Sequence, residues 1–382
     1  HWKITDRIEA SWNTYFGTGT TVYTGADRYS LRNLKIAQHK LEVKAKNWYV
    51  RTYTTQENAG DSYNASALGA YLNETYSPSS SWFPTYIGTF SELRRQNALG
   101  GAFPADITLH NLVRSQVDAN RLMPGTTAFN QAVARIKKTP IVKGGALFLD
   151  RSDLWAAEGQ INLSDALHFS DKVEVMAGMS WKQWVMNSKG TIFADNVDSI
   201  GYTRVKKRGN LTISETGAYV QLKKKLLDGG LTLTASGRYD KQVNFKGNFT
   251  PRLTAVIRVA QNNNIRLSYQ TAYRFPTNQN QYISLITGSG ALIGCLPEFQ
   301  TYYKLNSTLP GYTAASVISY RAGSIADSSR LVRASYSEVK HETVRSYEIG
   351  YKGVIGKKLL FDAYYYYSKY KDFLVGVAVV QP

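Results

Sequence analysis

Apolar and polar residues alternate over many short stretches of this chain. From Leu231 to Asp240, every second residue is apolar, aromatic or glycine, and the residues between them are polar or charged. The same alternation returns in residues 252–259 and in residues 265–274. A period of two places successive side chains on opposite faces of an extended strand. These stretches therefore predict β-strands with one apolar and one polar face.

Alternation and turn residues together predict about eleven strands. Their spans are 3–16, 31–43, 48–57, 157–166, 172–184, 213–225, 231–241, 249–259, 265–274, 343–353 and 359–370. Most of them reach the roughly 9–11 residues that a tilted strand needs to cross a bilayer.

The polar faces of these strands repeatedly carry arginine, which the interior of a soluble sandwich rarely accepts. In a membrane β-barrel the apolar face meets lipid and the polar face lines the lumen. We therefore predict an all-β fold, a transmembrane antiparallel barrel. The residues expected to line its lumen are Arg238, Asp240, Arg252, Arg258, Arg266 and Gln270.

The connections between the predicted strands alternate in length. Tight turns are expected at 45–47, 170–171, 227–230, 262–264 and 356–358, and longer connections at 17–30, 58–156, 185–212, 242–248 and 275–342. Short turns on one side and long loops on the other are typical of outer-membrane barrels. We expect residues 58–156 and 275–342 to be two large extracellular loops, and all of residues 1–382 to belong to one barrel domain.

Residues 58–156 are too many for a structureless loop. Apolar spacing predicts helices over residues 105–120 and 126–137, with Thr126 or Thr127 as an N-cap of the second. Aromatic residues, among them Trp82, Phe83 and Tyr86, precede them. Two interpretations are open: a small external subdomain that packs its own aromatics, or a vestibule in which aromatics contact a ligand.

Composition restricts the class of protein further. The 27 tyrosines, 7 tryptophans and 14 phenylalanines suit the aromatic belts of a membrane barrel. Mean hydropathy is −0.33, and no apolar run of about 18 residues predicts a membrane helix. A single cysteine, Cys295, excludes an internal disulfide framework. The net charge of +18 suits anionic lipid or an anionic solute.

No arrangement of residues points to catalysis, so we expect no enzyme activity, no cofactor and no metal site. The five histidines are scattered, without the close spacing that metal ligands need. No phosphate-binding glycine loop is present, and Asp195 and Asp198 lack the residues that complete a calcium loop.

Several motifs are similar to the barrel of TonB-dependent outer-membrane receptors, in the branch common in Bacteroidota. The stretch YRFPTNQ at 273–279 resembles a strand-end motif of that family. Hairpin-like stretches accompany it in the family's order: NWYVRTYTTQEN at 47–58, GAYVQ at 217–221, TASGRYD at 234–240, NFTPRL at 248–253 and SYEIGYKG at 346–353. The resemblance implies about half of a 22-stranded barrel with a plug inside it. The plug and the C-terminus of the barrel are then expected outside residues 1–382.

The resemblance also implies a function: TonB-dependent active transport of a scarce solute, an iron chelate, a glycan or a peptide, across the bacterial outer membrane. The implied partners are the TonB–ExbB–ExbD energy complex, outer-membrane lipids and lipopolysaccharide, and a surface lipoprotein or larger envelope complex, with no nucleic acid. Two other interpretations stay open, a passive porin or structural barrel of an envelope assembly, and a soluble β-rich binding protein.

Candidate ligand contacts are the aromatic residues of the two long loops and the arginine at a strand end. Aromatic rings give a large rigid contact area and stack on sugar or chelate rings. The candidates are Trp82, Phe83, Tyr86, Arg274, Tyr282, Tyr302 and Tyr303. For the lumen arginines, pairing with acidic groups of the plug or neighbouring strands is the alternative to substrate contact by Arg274 and Asp240.

Overall fold

The computed structural model describes residues 1–25, 27–99, 106–119, 121–168, 173–195, 206–207, 210–287, 290–305, 311–323, 327–356 and 358–381. Its main feature is one large antiparallel sheet. The strands on the main path of this sheet are β1 (Trp2–Thr5), β2 (Ile8–Thr24), β3 (Arg28–Ala45), β4 (Trp48–Asn58), β6 (Asp153–Asn162), β7 (Val173–Met186), β9 (Asn210–Leu226), β10 (Leu231–Gln242), β11 (Asn248–Ala260), β12 (Asn263–Arg274), β16 (Glu342–Ile355) and β17 (Leu359–Lys371).

Each strand on this path pairs with the next one along the chain, so the sheet is an uninterrupted meander. The short strands β5 (Tyr63–Asn64) and β8 (Lys206–Lys207) add to β3 and β9. Two small two-stranded sheets lie apart from it: β13 (Ser284–Thr287) with β14 (Gly290–Ile293), and β15 (Tyr312–Thr313) with β18 (Val379–Val380).

Among the described residues, α-helices occur only in the long connections. Four lie between β4 and β6: α1 (Ala65–Tyr76), α2 (Ser79–Leu99), α3 (Asp106–Val117) and α4 (Thr127–Lys138). Three lie between β12 and β16: α5 (Asn278–Tyr282), α6 (Pro297–Tyr302) and α7 (Ala314–Ala322). The predicted helices near 105–120 and 126–137 are confirmed as α3 and α4, although residues 105 and 120 lie outside the described residues. Thr126 is the N-cap, since its side chain accepts a hydrogen bond from the Phe129 amide.

The N-terminal part differs from the prediction. A reversal at Asp6 and Arg7 divides the predicted strand 3–16 between β1 and β2. The predicted connection 17–30 is wrong, because β2 and β3 stay paired as far as Thr24 and Arg28. Gly17 and Gly19 lie in the predicted connection, but both pair within the hairpin, and the space beside them is open. The Thr–Thr–Val–Tyr–Thr run that follows favours a strand.

The tight turns that the structure describes lie where the residue types predicted them. In the turn after β9, Leu227, Asp228 and Gly229 all have positive φ, which makes this a sharp reversal. Asn262 between β11 and β12 also has a positive φ, of 61°, a conformation that asparagine tolerates well. The predicted turn at 170–171 and Lys357 of the turn at 356–358 lie outside the described residues.

The two faces of the sheet differ sharply in chemistry. Ion pairs between neighbouring strands lie on one face; they include Lys44–Glu9 at 3.3 Å, Lys223–Glu174 at 3.2 Å and Lys352–Asp362 at 3.2 Å. All six predicted lumen-lining residues lie on this polar face, as the pairing register shows. The opposite, apolar face exposes large side chains, among them Trp12, Met179, Val220, Leu253, Tyr347 and Ile349.

Within the part of the chain that the structure describes, no helix is both long and apolar enough to cross a membrane.

The face assignment predicts a labelling pattern. In a variant with Cys295→Ser, a cysteine at position 258 should react with a membrane-impermeant thiol reagent when the outer membrane is permeabilised, whereas a cysteine at 257 should stay protected by lipid. The paired comparison of these two adjacent positions, read by mass shift, checks it. Efficient labelling at 257 with none at 258 would mean that the apolar face does not meet lipid.

Candidate functional site

The long connections pack together at one end of the sheet around a hydrophobic core. Its fully buried members include Leu211 and Ile213 of β9, Tyr282 of α5 and Phe299 of α6. Phe245 from the β10–β11 connection and Phe275 after β12 also belong to it, with ring centroids 5.8 Å apart. A second cluster joins Tyr29 of β3 to Ile141, Ile283 and Leu285. The loops therefore form a packed layer over this end of the sheet.

Asp195 organises the segment that follows β7. Its carboxylate accepts hydrogen bonds from the backbone amides of Ser188 at 2.5 Å, Lys189 at 2.9 Å and Gly190 at 2.7 Å. The Ser188 hydroxyl donates a fourth bond at 3.0 Å. Asp195 is only 2% exposed, so this buried charge is offset by four donors. Residues 187–195 are thereby held as a fixed turn, and Ile192 and Phe193 are directed into the core.

Buried amides fasten α5 to the end of β10. The Gln281 side chain donates to the Gln242 side-chain oxygen at 3.0 Å and to the Pro276 carbonyl at 2.6 Å. Asn244 donates to the Gln281 side chain at 2.7 Å and to the Tyr282 hydroxyl at 2.6 Å. Gln281 and Gln242 are almost fully buried, so a lost partner would leave a polar group unpaired in the interior. The network fixes the start of the 275–342 connection against the wall.

The predicted aromatic contacts of the first loop lie together on α2. The Trp82 ring stacks on Tyr86 at 4.9 Å and meets Phe83 edge-on at 5.0 Å. The row continues through His110 of α3, which hydrogen-bonds the Tyr86 hydroxyl and stacks on Phe90 at 4.6 Å. Phe83 is 56% exposed, whereas Trp82 and Tyr86 are half-buried. These rings both pack the α2–α3 hairpin and expose one edge.

The aromatic candidates of the second loop divide between interior and surface. Tyr282 has no exposed surface, and its ring belongs to the hydrophobic core. Tyr302 is 41% exposed and meets Tyr303 edge-on at 5.0 Å. Tyr303 packs partly against the core, and its carbonyl accepts a hydrogen bond from Gln381 at 2.9 Å. Burial gives Tyr282 a packing role, and Tyr302 is the more accessible ring.

Arg274 stands where β12 ends and the loop layer begins. Its guanidinium binds the Glu342 carboxylate at 2.5 Å, and 69% of its side chain is exposed. The Leu374 amide donates to the same carboxylate at 2.9 Å. Arg274 thus has a partner on β16 and still presents its guanidinium to solvent.

Two of the four predicted lumen arginines, Arg238 and Arg266, form ion pairs within the sheet. Arg238 binds Asp240 at 2.6 Å and the Ser180 hydroxyl at 3.0 Å. The pair lies over Gly217, where an added Cβ would be only 2.1 Å from the Asp240 carboxylate. Arg266 pairs with Glu348. Arg258 donates to the Asp228 carbonyl at 3.5 Å. Asp240 is 1% exposed, so direct substrate contact by this residue has no support in the structure.

Two features of the site gave no recognisable signal in the sequence. Asp195 lacked calcium-loop neighbours, yet it is the carboxylate that orders its loop. Gln242 and Gln281 are ordinary polar residues in the sequence, far apart, and become partners only through the fold. Among the described residues no group of three metal-binding side chains comes together.

Asp150, in the connection before β6, has a perturbed pKa. Burial is the main cause, and the nearby Glu57 and Asp195 carboxylates add to it, while a hydrogen bond from the Ser152 hydroxyl opposes it. Together they raise the pKa of Asp150 to about 6. Its backbone carbonyl also accepts from the Ala59 amide at 2.8 Å, so Asp150 helps to close the base of the first long loop.

The Asp195 contacts predict a local loss of stability. In Asp195→Ala, three amides and a hydroxyl lose their acceptor, and the local opening free energy should fall by about 1–3 kcal/mol. Hydrogen exchange at the amides of Ala194 and Ser284, which bond across to other segments, should accelerate accordingly. Asp165→Ala, which removes a carboxylate hydrogen-bonded to Asn47, is the matched control and should leave both amides unchanged. Equal protection in all three proteins would contradict the anchoring role.

The Asp150 pKa predicts a pH dependence of opposite sign to that of a salt-bridged carboxylate. Because its pKa is higher in the closed loop than in an open one, protonation favours closure. Protection of the Ala59 amide should be greatest below about pH 4 and decline as the pH rises through about 6. Hydrogen exchange corrected for intrinsic rates measures this. Asp150→Asn should flatten the profile and Asp165→Asn should not; an unchanged profile in Asp150→Asn would assign the dependence to another group.

Comparison with known proteins agrees with this architecture. The family model described as TonB dependent receptor-like, beta-barrel, matches residues 2–382. No curated protein matches the chain.

Several solved structures resemble the fold. A variant of the ferric enterobactin receptor PfeA from Pseudomonas aeruginosa, in complex with enterobactin, is 11% identical with a TM-score of 0.50; the match covers 97% of this chain and 42% of that receptor. The siderophore receptor PirA from the same organism is 12% identical, with a TM-score of 0.48; the match covers 97% of this chain and 44% of that receptor. The FrpB iron transporter of Neisseria meningitidis is 14% identical, with a TM-score of 0.44; the match covers 96% of this chain and 42% of that transporter.

The chain spans less than half of the length of these solved receptors. At these identities, the likeness to PfeA is one of fold alone. The family model, in contrast, extends over almost every residue of the sheet and of both long connections. This chain therefore belongs to the family of TonB-dependent receptors, as part of their outer-membrane β-barrel.

Proposed function

We propose that this chain supplies part of the wall and two of the external loops of a TonB-dependent active transporter. Members of this receptor family are transporters and not enzymes. In the proposed mechanism a scarce solute binds at the long-loop end of the sheet. Energy delivered through the TonB–ExbB–ExbD complex then moves a plug, and the solute passes along the polar face. Membership of the Bacteroidota branch remains a prediction.

The observation that carries this proposal is the polar face with its ion pairs, which leads to the packed loops. Pairs on this face run from Lys44–Glu9 near the short-turn end to Arg274–Glu342 beneath the loop layer. A polar face of this kind suits a water-filled or plug-filled lumen, and it has no use against lipid. We infer that Arg238, Arg252, Arg258, Arg266 and Gln270 line the lumen, with Asp240 as the fixed partner of Arg238.

The accessible candidates for solute contact are Phe83 and Trp82 on α2, Tyr302 on α6 and Arg274 at the strand end. Tyr86 supports Trp82, and Tyr303 supports Tyr302, through ring contacts. An exposed guanidinium and exposed aromatic rings at the same end of the sheet suit a solute that combines anionic groups with rings. Tyr282 is better assigned to the core of the loop layer, since it has no exposed surface.

The solute is proposed at the level of class only: an iron chelate, a glycan or a peptide. The solved relatives are described as siderophore, ferric enterobactin and iron transport proteins. Likeness at 11–14% identity does not transfer their ligands, but it makes ferric chelates the first solutes to test. The charge of +18 favours an anionic member of the class.

We also propose outer-membrane lipids and lipopolysaccharide as contacts of the apolar face. A recess of about 740 Å³ on that face is lined largely by apolar side chains and tyrosines of β9–β12, β16 and β17, such as Leu222, Leu253 and Tyr365. Such a lining suits hydrocarbon chains better than a water-soluble solute. A surface lipoprotein or a larger envelope complex stays a proposed partner without a described contact.

Uptake measurements test the proposal. The intact protein, expressed in cells with and without TonB, should import one labelled ferric chelate, oligosaccharide or oligopeptide only when TonB is present. Surface binding of that solute should weaken in the double variant Trp82→Ala with Phe83→Ala, and separately in Tyr302→Ala. The expected loss is roughly tenfold in each, because about 1–1.5 kcal/mol of ring contact is removed. Tyr282→Ala would test folding instead, because it opens the core.

Phe361→Ala is the matched control, since this exposed aromatic lies at the opposite end of the sheet. It should bind and import normally. Import that proceeds equally without TonB would replace the active transporter by a passive porin. Binding that survives every loop variant would move recognition to another part of the protein.

A further inference from the structure

A polar pocket of about 470 Å³ lies at the rim of the sheet, where β4 gives way to the first long connection. Lys35 and Arg151 contribute its two cationic side chains. The remaining lining is formed by small polar groups and one carboxylate: Thr18, Asn33, Asn58, Gly60 and Asp61. A pocket of this volume is large enough to hold the headgroup of an amphiphile.

The pocket opens on the apolar face of the sheet, away from the polar face where the solute is proposed to pass. Thr18 pairs with Lys35, and Lys35 pairs with Asn58. Backbone hydrogen bonds join Glu57 to Ser152 and Ala59 to Asp150, on either side of Asn58 and Arg151. Arg151 therefore lies opposite Asn58. By the alternation along each strand, these residues share the face of Leu41 and Trp155.

Large aromatic side chains lie on the same face, closer to the middle of the sheet. Phe16, two residues before Thr18 on β2, is 67% exposed, and Trp12 is 62% exposed. Trp155 on β6, four residues after Arg151, is 44% exposed. Aromatic rings at this level are typical of the border between hydrocarbon and headgroups. The pocket therefore lies just beyond that border, on the side of the long loops.

The cations of the pocket are available to a ligand. Lys35 and Arg151 are exposed, and among the described residues neither forms an ion pair. The Asp61 carboxylate already accepts a hydrogen bond from the side-chain amide of Asn33 at 2.8 Å. Two unpaired cations suit phosphate oxygens, whereas the carboxylate, amides and hydroxyl suit the hydroxyl groups of a sugar.

We propose that this pocket binds the phosphorylated sugar headgroup of an outer-leaflet glycolipid, with the acyl chains lying along the aromatic residues below it. The proposal rests on the orientation of the two faces in the proposed function, but not on the solute or on TonB. Free phosphate is a poorer occupant, because it would leave the aromatic surface and the sugar-binding groups unused. An anchored lipid would tie β2, β3 and the base of the first long loop together at the membrane surface.

Native mass spectrometry of the intact protein in detergent tests this directly, with bisphosphorylated lipid A as the probe. The wild type should retain the lipid, and Lys35→Gln with Arg151→Gln should weaken its binding by roughly tenfold or more, as expected for about 1 kcal/mol per basic residue at a lipid surface. Lys35→Arg with Arg151→Lys keeps both charges and should retain binding, which separates loss of charge from misfolding.

The matched control is Arg135→Gln with Lys138→Gln, two exposed cations of α4 that do not line the pocket. This variant should bind lipid A as the wild type does. Dephosphorylated lipid A should bind weakly, and inorganic phosphate at equal concentration should not displace the lipid. Unchanged binding in the Lys35/Arg151 variant, equal loss in the Arg135/Lys138 control, or displacement by inorganic phosphate would each overturn the proposal. None of these outcomes bears on TonB-dependent uptake, which is measured separately.

Discussion

Pairing of the backbone is the constraint on which the rest of this structure depends. A strand in hydrocarbon has no water to replace a missing hydrogen bond, so each of its amides and carbonyls needs a partner in a neighbouring strand. The meander from β1 to β17 supplies such partners for every strand between its two edges. Those edges, β1 and β17, need partners beyond the strands that the described residues provide. Once the ladder is fixed, alternation alone sends Arg238 and Arg266 to one face and Leu253 and Ile349 to the other.

The loop layer differs from the sheet in where its large apolar side chains lie. On the sheet, large apolar side chains such as Met179 and Tyr365 are exposed, whereas in the loops Phe299, Ile213 and Tyr282 are fully buried. Key buried polar groups there, such as Asp195 and Gln281, have hydrogen-bond partners. The two parts of the chain are therefore stable in different surroundings: the sheet presents apolar side chains to hydrocarbon, whereas the loop layer buries its apolar side chains away from water. The two parts meet at β9 and β12, whose ends contribute to both.

Much of the sheet could be predicted because its physics is local. A period of two and a few turn residues located ten of the eleven predicted strands to within a few residues of β3, β4, β6, β7, β9, β10, β11, β12, β16 and β17. The β2–β3 hairpin was misjudged, since Gly17 and Gly19 resemble a turn until their pairing partners are known. Helices α3 and α4 were found from apolar spacing, whereas α2 was missed because Pro84 and a run of serines are unusual in a helix.

The candidate site was harder to predict. Whether Tyr282 is buried or Tyr302 exposed depends on contacts between segments far apart in the chain, and periodicity carries no information on those contacts.

The order of strands also has a kinetic consequence. Most neighbours in the sheet are joined by a few residues, so hairpins such as β2–β3 and β9–β10 can close quickly. Two junctions differ most from these hairpins, because the longest intervening segments separate β4 from β6 and β12 from β16. Loop closure grows costlier with length, and sheets with non-local pairings fold slowly. Assembly should therefore pause at these two seams, leaving β4, β6, β12 and β16 with unpaired edges for longest. Unpaired strand edges are prone to aggregation, so a periplasmic chaperone would protect the chain most by covering the edges of these four strands.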